Sequence, residues 1–197
     1  MKRIVLVLLT LVLAAGCSTG KDAVSQGSSF QFVAPGGQTD ITYDTADRKP
    51  IPNLSGDDLM NEGKQLSLAE FAGKVVVLNI WGQWCAPCRT ESPEMEKLYQ
   101  AEQAKGVQVV GFDVRDYDRS APQDFVRDRG LTYPSIYDPP GRGLLKLSGY
   151  PVNVVPSTIV IDKQQRVAAV YLRSLLATDI QPLVQKLAAE QLGAPGE

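Results

Sequence analysis

The hydrophobic pattern changes at about residue 67. Beyond this point, short runs of branched apolar residues alternate with stretches that carry helix-start signals. Three of the runs are dense enough in Val, Ile and Leu to be strands buried on both faces of a parallel or mixed sheet: residues 75–78, 107–110 and 159–161. Residues 167–172 form a fourth run. The pattern predicts an α/β domain of three layers around a central sheet.

Helix starts and stops frame these strands. Three tetrapeptides have the capping-box form, in which a hydroxyl and a later side chain satisfy free backbone donors: Ser67 to Glu70, Ser120 to Gln123 and Thr178 to Gln181. Glycines that can end the corresponding helices follow at Gly73, Gly130 and Gly193. The last helix carries an apolar stripe that is expected to cover the sheet: Ile180, Leu183, Val184, Leu187 and Ala188.

A second alternating pattern precedes the domain. Apolar residues alternate at positions 30–33, and again at Ile41 and Tyr43, on either side of the turn sequence at residues 34–37. This arrangement predicts a hairpin extension ahead of the main domain.

The first residues have the form of an export signal. Lys2 and Arg3 precede an apolar run at residues 4–15, and small residues then lead to Cys17. The run is too short to span a membrane as a helix, which needs about 20 apolar residues. A cysteine at this point resembles a bacterial lipobox, which implies cleavage before Cys17 and lipid attachment to its sulfur. The alternative is a plain secretory signal with an incidental cysteine.

The sequence therefore divides into three parts. Residues 1–16 are predicted to be the signal, residues 17–48 the lipid-attached tether and hairpin, and residues 49–193 the domain.

Composition narrows the function classes. The 197 residues include 20 Lys and Arg, 22 Asp and Glu, three cysteines and no histidine. This balance gives no basic excess to attract nucleic acid. Without histidine, neither a Ser-His-Asp nor a Cys-His catalytic pair can form, and most transition-metal sites are hard to assemble. Lipidation of Cys17 would leave Cys85 and Cys88 as a pair.

The candidate chemistry lies in the sequence Trp-Gly-Gln-Trp-Cys-Ala-Pro-Cys at residues 81–88, between a predicted strand and a helix that ends near Gly106. At a helix start, free N–H groups and the positive end of the helix dipole stabilise a thiolate at Cys85. Cys88 lies one turn deeper and can close a ring with Cys85. Pro87 suits the first helical turn. The motif predicts a dithiol that exchanges disulfides, with Cys85 as nucleophile and Cys88 as resolving thiol.

Three other interpretations of the two cysteines are open. A zinc site needs two further ligands, and a copper carrier needs further soft or imidazole ligands. The third is a purely structural disulfide, although such bridges usually close longer loops.

Other residues near the motif also allow more than one interpretation. Trp84 is expected either to shield the disulfide and shape partner docking or simply to pack against the loop, whereas Trp81 is expected in the core. The polar residues that follow the second strand lack the Gly and terminal Glu of a calcium-binding loop, so they are expected to be solvated: Asp113, Arg115, Asp116 and Asp118.

Residues 81–88, together with Val155-Pro156-Ser157-Thr158 before an apolar strand and the lipobox, resemble the thioredoxin-like family of membrane-anchored thiol-disulfide oxidoreductases, the TlpA/ResA-like group. The resemblance covers roughly residues 51–192. It implies a thioredoxin-like three-layer sandwich with a mixed central sheet, and it assigns the helix at residues 120–130 to a βα insertion characteristic of this group.

The resemblance also implies site residues. Pro156 is expected in a cis peptide facing the cysteines, with the Val155 backbone directed toward a substrate strand, and Pro151 is the competing candidate. Asn79 stands where cytosolic thioredoxins carry a buried acid, and Glu91, three residues after Cys88, matches the acid of this group. A solvated helix carboxylate is the alternative for Glu91. The residues expected to contact the partner are Trp84, Ala86, Pro87 and Val155.

These inferences predict an enzyme, lipid-anchored on the extracytoplasmic face of the cell membrane, that needs no cofactor beyond its redox-active disulfide. The expected partners are protein disulfides or dithiols and a membrane thiol donor, and the resemblance includes c-type apocytochromes among the clients. The near rival is an oxidant of folding exported proteins, because Ala86-Pro87 does not fix the potential. A peroxide reductase is disfavoured by Leu78 and Gly82, which replace the Pro and Thr of peroxiredoxins. A metal chaperone using the same thiols is the alternative that is not an enzyme.

Overall fold

The computed structural model describes residues 29–191. The predicted signal at residues 1–16, Cys17, the first part of the tether and Gly193 lie outside the described residues. Within these residues, eight strands form one mixed sheet; in chain order they are β1 (Asp40–Thr42), β2 (Ser55–Asp58), β3 (Gln65–Ser67), β4 (Val75–Trp81), β5 (Val107–Asp113), β6 (Ser135–Tyr137), β7 (Ser157–Ile161) and β8 (Val167–Tyr171). Their order across the sheet is β1-β8-β7-β4-β5-β6-β2-β3.

Strand β4 lies at the centre of the sheet. It pairs in parallel with β5 and antiparallel with β7, and every residue of β4, β5 and β7 is buried. The three dense apolar runs are therefore buried on both faces, as the sequence predicts. This arrangement places the carboxyl ends of β4 and β5 side by side, with Trp81 opposite Asp113.

The two faces of the sheet are covered differently. The α-helices α1 (Ala86–Glu102), α2 (Ser120–Arg129) and α3 (Ala177–Ala189) contribute to a core on one face that also contains both site cysteines. The other face is covered by extended chain around Phe30 and Phe32 and by 3-10 turns at Leu68–Phe71 and Gly143–Lys146. The predicted α/β class with a mixed central sheet is confirmed, and α2 connects the parallel strands β5 and β6.

The predicted N-terminal hairpin is wrong. Ile41 is buried as its pattern indicates, but β1 pairs antiparallel with β8 and not with the preceding segment. Gln31 instead forms a parallel bridge with Ser148. The segment at Gln31 and strand β1 therefore each pair with residues of the domain that lie far away in the sequence.

The helix starts agree with the sequence only in part. Ser67 and Glu70 form the predicted capping box, but they cap a single 3-10 turn. Helix α2 begins at Ser120 itself, and the carboxylate of Asp118 accepts its N–H at 3.1 Å. Helix α3 begins at Ala177, before Thr178, and the backbone N–H groups there are accepted by carboxylates: that of Leu176 by Asp179 and that of Ala177 by Glu94.

Among residues 29–191, no helix combines the length and the apolar character that crossing a membrane requires.

Candidate active site

The two cysteines lie where β4 passes into α1. Cys85 is the N-cap of the helix, and its Sγ accepts the backbone N–H of Cys88 at 3.2 Å. The two residues are joined by a disulfide, with their Cα atoms 5.2 Å apart. Cys85 keeps 4% of its surface exposed and Cys88 none, so only Cys85 can meet a partner first. The predicted order of nucleophile and resolving thiol fits this difference in burial.

The turn before Cys85 depends on Gly82. A Cβ at this position would lie 2.3 Å from Nε1 of Trp84 and 2.8 Å from the carbonyl oxygen of Val114. Only glycine therefore allows the Trp84 indole to fold back over the loop, where Nε1 donates a hydrogen bond to that carbonyl at 2.9 Å. Pro87 occupies the first turn of α1, where the sequence places it.

The loop before β7 faces the nucleophile. The peptide bond between Val155 and Pro156 is cis, and among the described residues no other cis bond occurs, so Pro156 and not Pro151 takes this role. The carbonyl oxygen of Val155 lies 3.7 Å from Sγ of Cys85. A backbone acceptor next to the sulfur is suited to receiving an extended partner chain.

This loop is held from behind by Tyr150. The Tyr150 hydroxyl donates a hydrogen bond to Oγ of Ser157 at 2.6 Å. The Ser157 hydroxyl in turn donates to the carbonyl oxygen of Val154 at 2.9 Å. The ring of Phe32 packs edge-on against Tyr150, with centroids 5.7 Å apart. The N-terminal segment therefore supports the backbone on either side of Pro156.

Glu91 is buried and not solvated. It is 1% exposed, and its carboxylate accepts hydrogen bonds from Nδ2 of Asn79 at 3.2 Å and from the backbone N–H of Leu175 at 2.9 Å. Burial raises the pKa of Glu91 to about 7, although the two hydrogen bonds oppose this rise. A carboxyl group with this pKa can both give and take a proton near neutral pH. It lies one helical turn beyond Cys88 on α1.

The surface around Cys85 is formed by the residues expected there. Trp84, Ala86 and Pro87 are exposed and Val155 is partly exposed. The guanidinium of Arg115 lies over the Trp84 ring at 5.5 Å and donates to the carbonyl of Val152 at 3.1 Å. Trp84 is thus a surface residue, 42% exposed, that is fixed in place. Trp81 is fully buried, as predicted, and its Nε1 donates to Oγ of Ser135.

The residues after β5 do not all follow the sequence prediction. Asp113 is fully buried and Asp116 is 6% exposed, so the expectation of a solvated loop is wrong for these two. Burial and the neighbouring Asp116 raise the pKa of Asp113 to about 10. One signal was available: Asp113 directly continues a run of buried strand residues. Within residues 29–191, no group of three or more His, Cys, Asp or Glu side chains is arranged to hold a metal ion.

Comparison with known proteins identifies the family of the chain. Residues 46–186 match the Redoxin family. The chain belongs to the Redoxin family. It is also similar to proteins named thiol-disulfide oxidoreductase ResA, with 38% identity to that of Bacillus thuringiensis strain Al Hakam over 60% of this chain and 65% of the relative. A ResA of Bacillus cereus is 33% identical over 71% of this chain and 77% of its own length. The chain therefore spans less than two thirds of the B. thuringiensis relative.

Solved structures show the same fold for this Redoxin member. A secreted thiol-disulfide isomerase from Corynebacterium glutamicum superposes with a TM-score of 0.81 and 49% identity, covering 83% of this chain and all of that one. A DsbF homologue from Corynebacterium diphtheriae gives 0.76 and 48%, covering 81% and 99%. The predicted thioredoxin-like fold and the resemblance to ResA-like oxidoreductases are confirmed.

Proposed function

We propose that the protein is a lipid-anchored thiol-disulfide oxidoreductase on the outer side of the cell membrane, which reduces disulfides in protein partners. One observation carries the proposal. A pair of cysteines lies at a helix start, with Cys85 beside the Val155 carbonyl and more accessible than the fully buried Cys88, and with a buried acid, Glu91, one turn behind Cys88. A structural disulfide needs neither the difference in burial nor the buried acid.

The reaction begins with the reduced protein. The Cys85 thiolate attacks one sulfur of the partner disulfide, so a mixed disulfide forms and the partner's other sulfur leaves as a thiolate, which takes up a proton. Cys88 then loses its proton and attacks Sγ of Cys85. This step closes the Cys85–Cys88 disulfide and releases the second partner sulfur as a thiolate. The partner disulfide gains two electrons, and the protein's dithiol loses them.

The protein groups have separate roles in these steps. The helix start and the N–H of Cys88 stabilise negative charge on Cys85. Glu91 accepts the proton of the Cys88 thiol, because its pKa of about 7 leaves it able to exchange protons at neutral pH. The exposed residues Trp84, Ala86 and Pro87 and the Val155 carbonyl form the surface on which an extended partner segment lies.

The location and the partners belong to the same proposal. Cys17 and the apolar run before it support export and lipid attachment. A membrane dithiol donor then returns the disulfide to the reduced form, and c-type apocytochromes are among the clients. No cofactor is required, since the electrons pass between sulfur atoms.

A second candidate is an oxidant or isomerase of folding exported proteins. It is favoured by the two Corynebacterium structures, which are described as a secreted thiol-disulfide isomerase and a DsbF homologue. The same site would then accept electrons from partner dithiols.

One variant tests the proposal and separates the two directions. Cys88→Ser removes the thiol that resolves the mixed disulfide on Cys85, so this intermediate accumulates. The covalently bound partners can then be purified from the cell envelope and identified. Cys85→Ser is the matched control and should trap nothing. We expect clients that accumulate oxidised when the protein is absent. Clients that accumulate reduced would establish the oxidant role, and a Cys88→Ser protein that traps no partner would overturn the proposal.

A further inference from the structure

A buried acid lies beneath the loop that carries the nucleophile. Asp113 is the last residue of β5 and lies beside Trp81, the last residue of β4. It is fully buried, and among residues 29–191 neither of its carboxyl oxygens meets a hydrogen-bond donor. The neighbouring carboxyl group of Asp116, three residues further along the chain and 6% exposed, adds to the effect of burial in raising the pKa of Asp113. A buried carboxylate without a donor is strongly disfavoured, so Asp113 needs a proton of its own.

Asp116 connects this acid to the active-site loop. Its Oδ2 accepts the backbone N–H of Gln83 at 2.6 Å, and Gln83 stands two residues before Cys85. The carbonyl of Gln83 in turn accepts a hydrogen bond from Arg89 of α1 at 2.9 Å. The loop is thus fixed between a carboxylate and a guanidinium. A movement of Asp116, or a change in the charge of its carboxyl group, therefore acts on the backbone that leads to Cys85.

The surroundings decide which of the two acids holds the proton. The titratable and charged groups around the pair come from its own loop, from the start of α2, from β6 and the residue after it, and from α1: Arg115, Asp118, Arg119, Tyr137, Asp138 and Arg89. Within the described residues none of them donates to the carboxyl group of Asp113. The Tyr137 hydroxyl donates to the main-chain carbonyl of Asp116 at 2.7 Å. The carboxylate of Asp138 accepts a hydrogen bond from the backbone N–H of Gly143.

Two neighbouring buried carboxyl groups cannot both carry a negative charge easily, so one of them keeps its proton. Asp116 has the donor, the Gln83 N–H, and is the member that carries the negative charge. Asp113 has none and is the member that stays protonated, in agreement with its raised pKa of about 10. Asp113 in turn can donate its proton to Asp116.

We propose that Asp113 and Asp116 form a carboxyl pair with one proton and one negative charge, which positions the Cys85 loop and keeps a second charge away from the sulfur. The inference rests on the proposed function in that Cys85 is the nucleophile. Both acids are positioning residues, because they act on Cys85 through Gln83. Because Asp116 is hydrogen-bonded to the backbone two residues before Cys85, we expect its negative charge to disfavour the Cys85 thiolate, against the stabilising effect of the helix start. The pair therefore sets how reactive Cys85 is at a given pH.

The test is the pH dependence of Cys85 alkylation. In the full chain carrying Cys17→Ser and Cys88→Ser, Cys85 is the only thiol, and its rate of reaction with iodoacetamide gives a pH midpoint. Asp116→Asn keeps an acceptor for the Gln83 N–H but removes the charge. We expect it to lower the midpoint by about half a unit to one unit. Asp113→Asn mimics the protonated acid, so it should keep the midpoint within about 0.2 units.

Each outcome has a definite meaning. If Asp113→Asn lowers the midpoint as far as Asp116→Asn does, Asp113 is charged at neutral pH and the pair is refuted. If Asp116→Asn leaves the midpoint in place, its charge does not act on Cys85 and the proposal fails as well. Asp118→Asn is the matched control, since it removes an exposed charge from the same loop and keeps a cap for Ser120. It should not shift the midpoint.

Infrared spectroscopy of the carboxyl group gives a second, independent readout. In a Glu91→Gln background at pH 8, Asp113 should supply the carbonyl stretch of a protonated acid, and Asp113→Asn should abolish that band. Absence of the band at pH 8 would overturn the proposal. Failure of the proposed function looks different: Cys85 would then resist iodoacetamide even with both acids intact.

Discussion

Nδ2 of Asn79 lies 3.2 Å from the carboxylate of Glu91, and both side chains are buried. The same amide group reaches Oγ1 of Thr158 on the neighbouring strand β7 at 3.1 Å. One neutral side chain therefore holds the acid of α1 against the centre of the sheet. It offers a hydrogen bond to the charged form of Glu91 without adding a charge, and this is how the acid stays within reach of neutral pH.

Replacing Glu91 with Gln should slow turnover of a model protein disulfide by about 10- to 100-fold, because the proton of Cys88 loses its acceptor. It should also remove the inflection near pH 7 from the rate profile. The initial rate of disulfide reduction measured between pH 5 and 9 checks this. An unchanged profile would take Glu91 out of the mechanism.

The same substitution should change how stability depends on pH. The pKa of Glu91 rises from 4.5 to about 7 on folding, so the folded protein binds this proton more tightly. The resulting stability is fully present below pH 4.5 and is lost as the pH rises through 7. Glu91→Gln lacks this loss, which amounts to roughly 3 kcal/mol. Urea unfolding at pH 4.5 and pH 8 measures it, and the exposed Glu62→Gln is the matched control.

Replacing Asn79 with Ala should raise the pKa of Glu91 above 7, because one of the hydrogen bonds that oppose the rise is lost. The midpoint of the rate profile should move up by roughly half a unit to one unit. A downward shift would mean that the amide acts on the neutral form of Glu91, which is the opposite of the arrangement described.

Arg48 offers a stability prediction away from the site. Its buried guanidinium bridges Asp162 at 3.3 Å and Glu190 at 2.7 Å, so it joins the N-terminal segment to the residue that follows α3. Arg48→Ala leaves the buried carboxylate of Asp162 without this partner, so it should lower the free energy of unfolding by about 3 kcal/mol. Thermal unfolding should show the loss equally in the oxidised and reduced protein. Arg127→Ala, in an exposed pair with Asp124, should cost less than about 0.5 kcal/mol.

Replacing Cys17 with Ser should release the protein from the membrane fraction without changing the redox chemistry of Cys85. Fractionation of cells and metabolic labelling with a fatty acid measure anchoring and lipid attachment. Retention of the variant in membranes, or an unlabelled native protein, would contradict the predicted lipid anchor.

The sequence predicts the junction of β4 and α1 well because its signals are local. A run of buried strand residues, a glycine turn and a proline in the first helical turn place Cys85 and Cys88 without knowledge of the rest of the chain. Glu91 follows from the family resemblance, and its spacing places it about one helical turn from Cys88. Pro156 follows from the strand that begins directly after it, together with the family resemblance.

The errors concern relationships between distant segments. The alternation at Ile41 shows which side chain is buried, but a period of two does not say which strand β1 pairs with, and the partner was β8. The burial of Asp113 and Asp116 depends on how the chain between β5 and β6 closes over the end of the sheet. The presence of polar residues in the connection after β5 does not show that the chain closes over them.

The contact between Phe32 and Tyr150 ties the beginning of the folded domain to the architecture behind Pro156. A displacement of the segment around Phe32 therefore also moves the wall of the reactive centre, although the two lie far apart in the sequence.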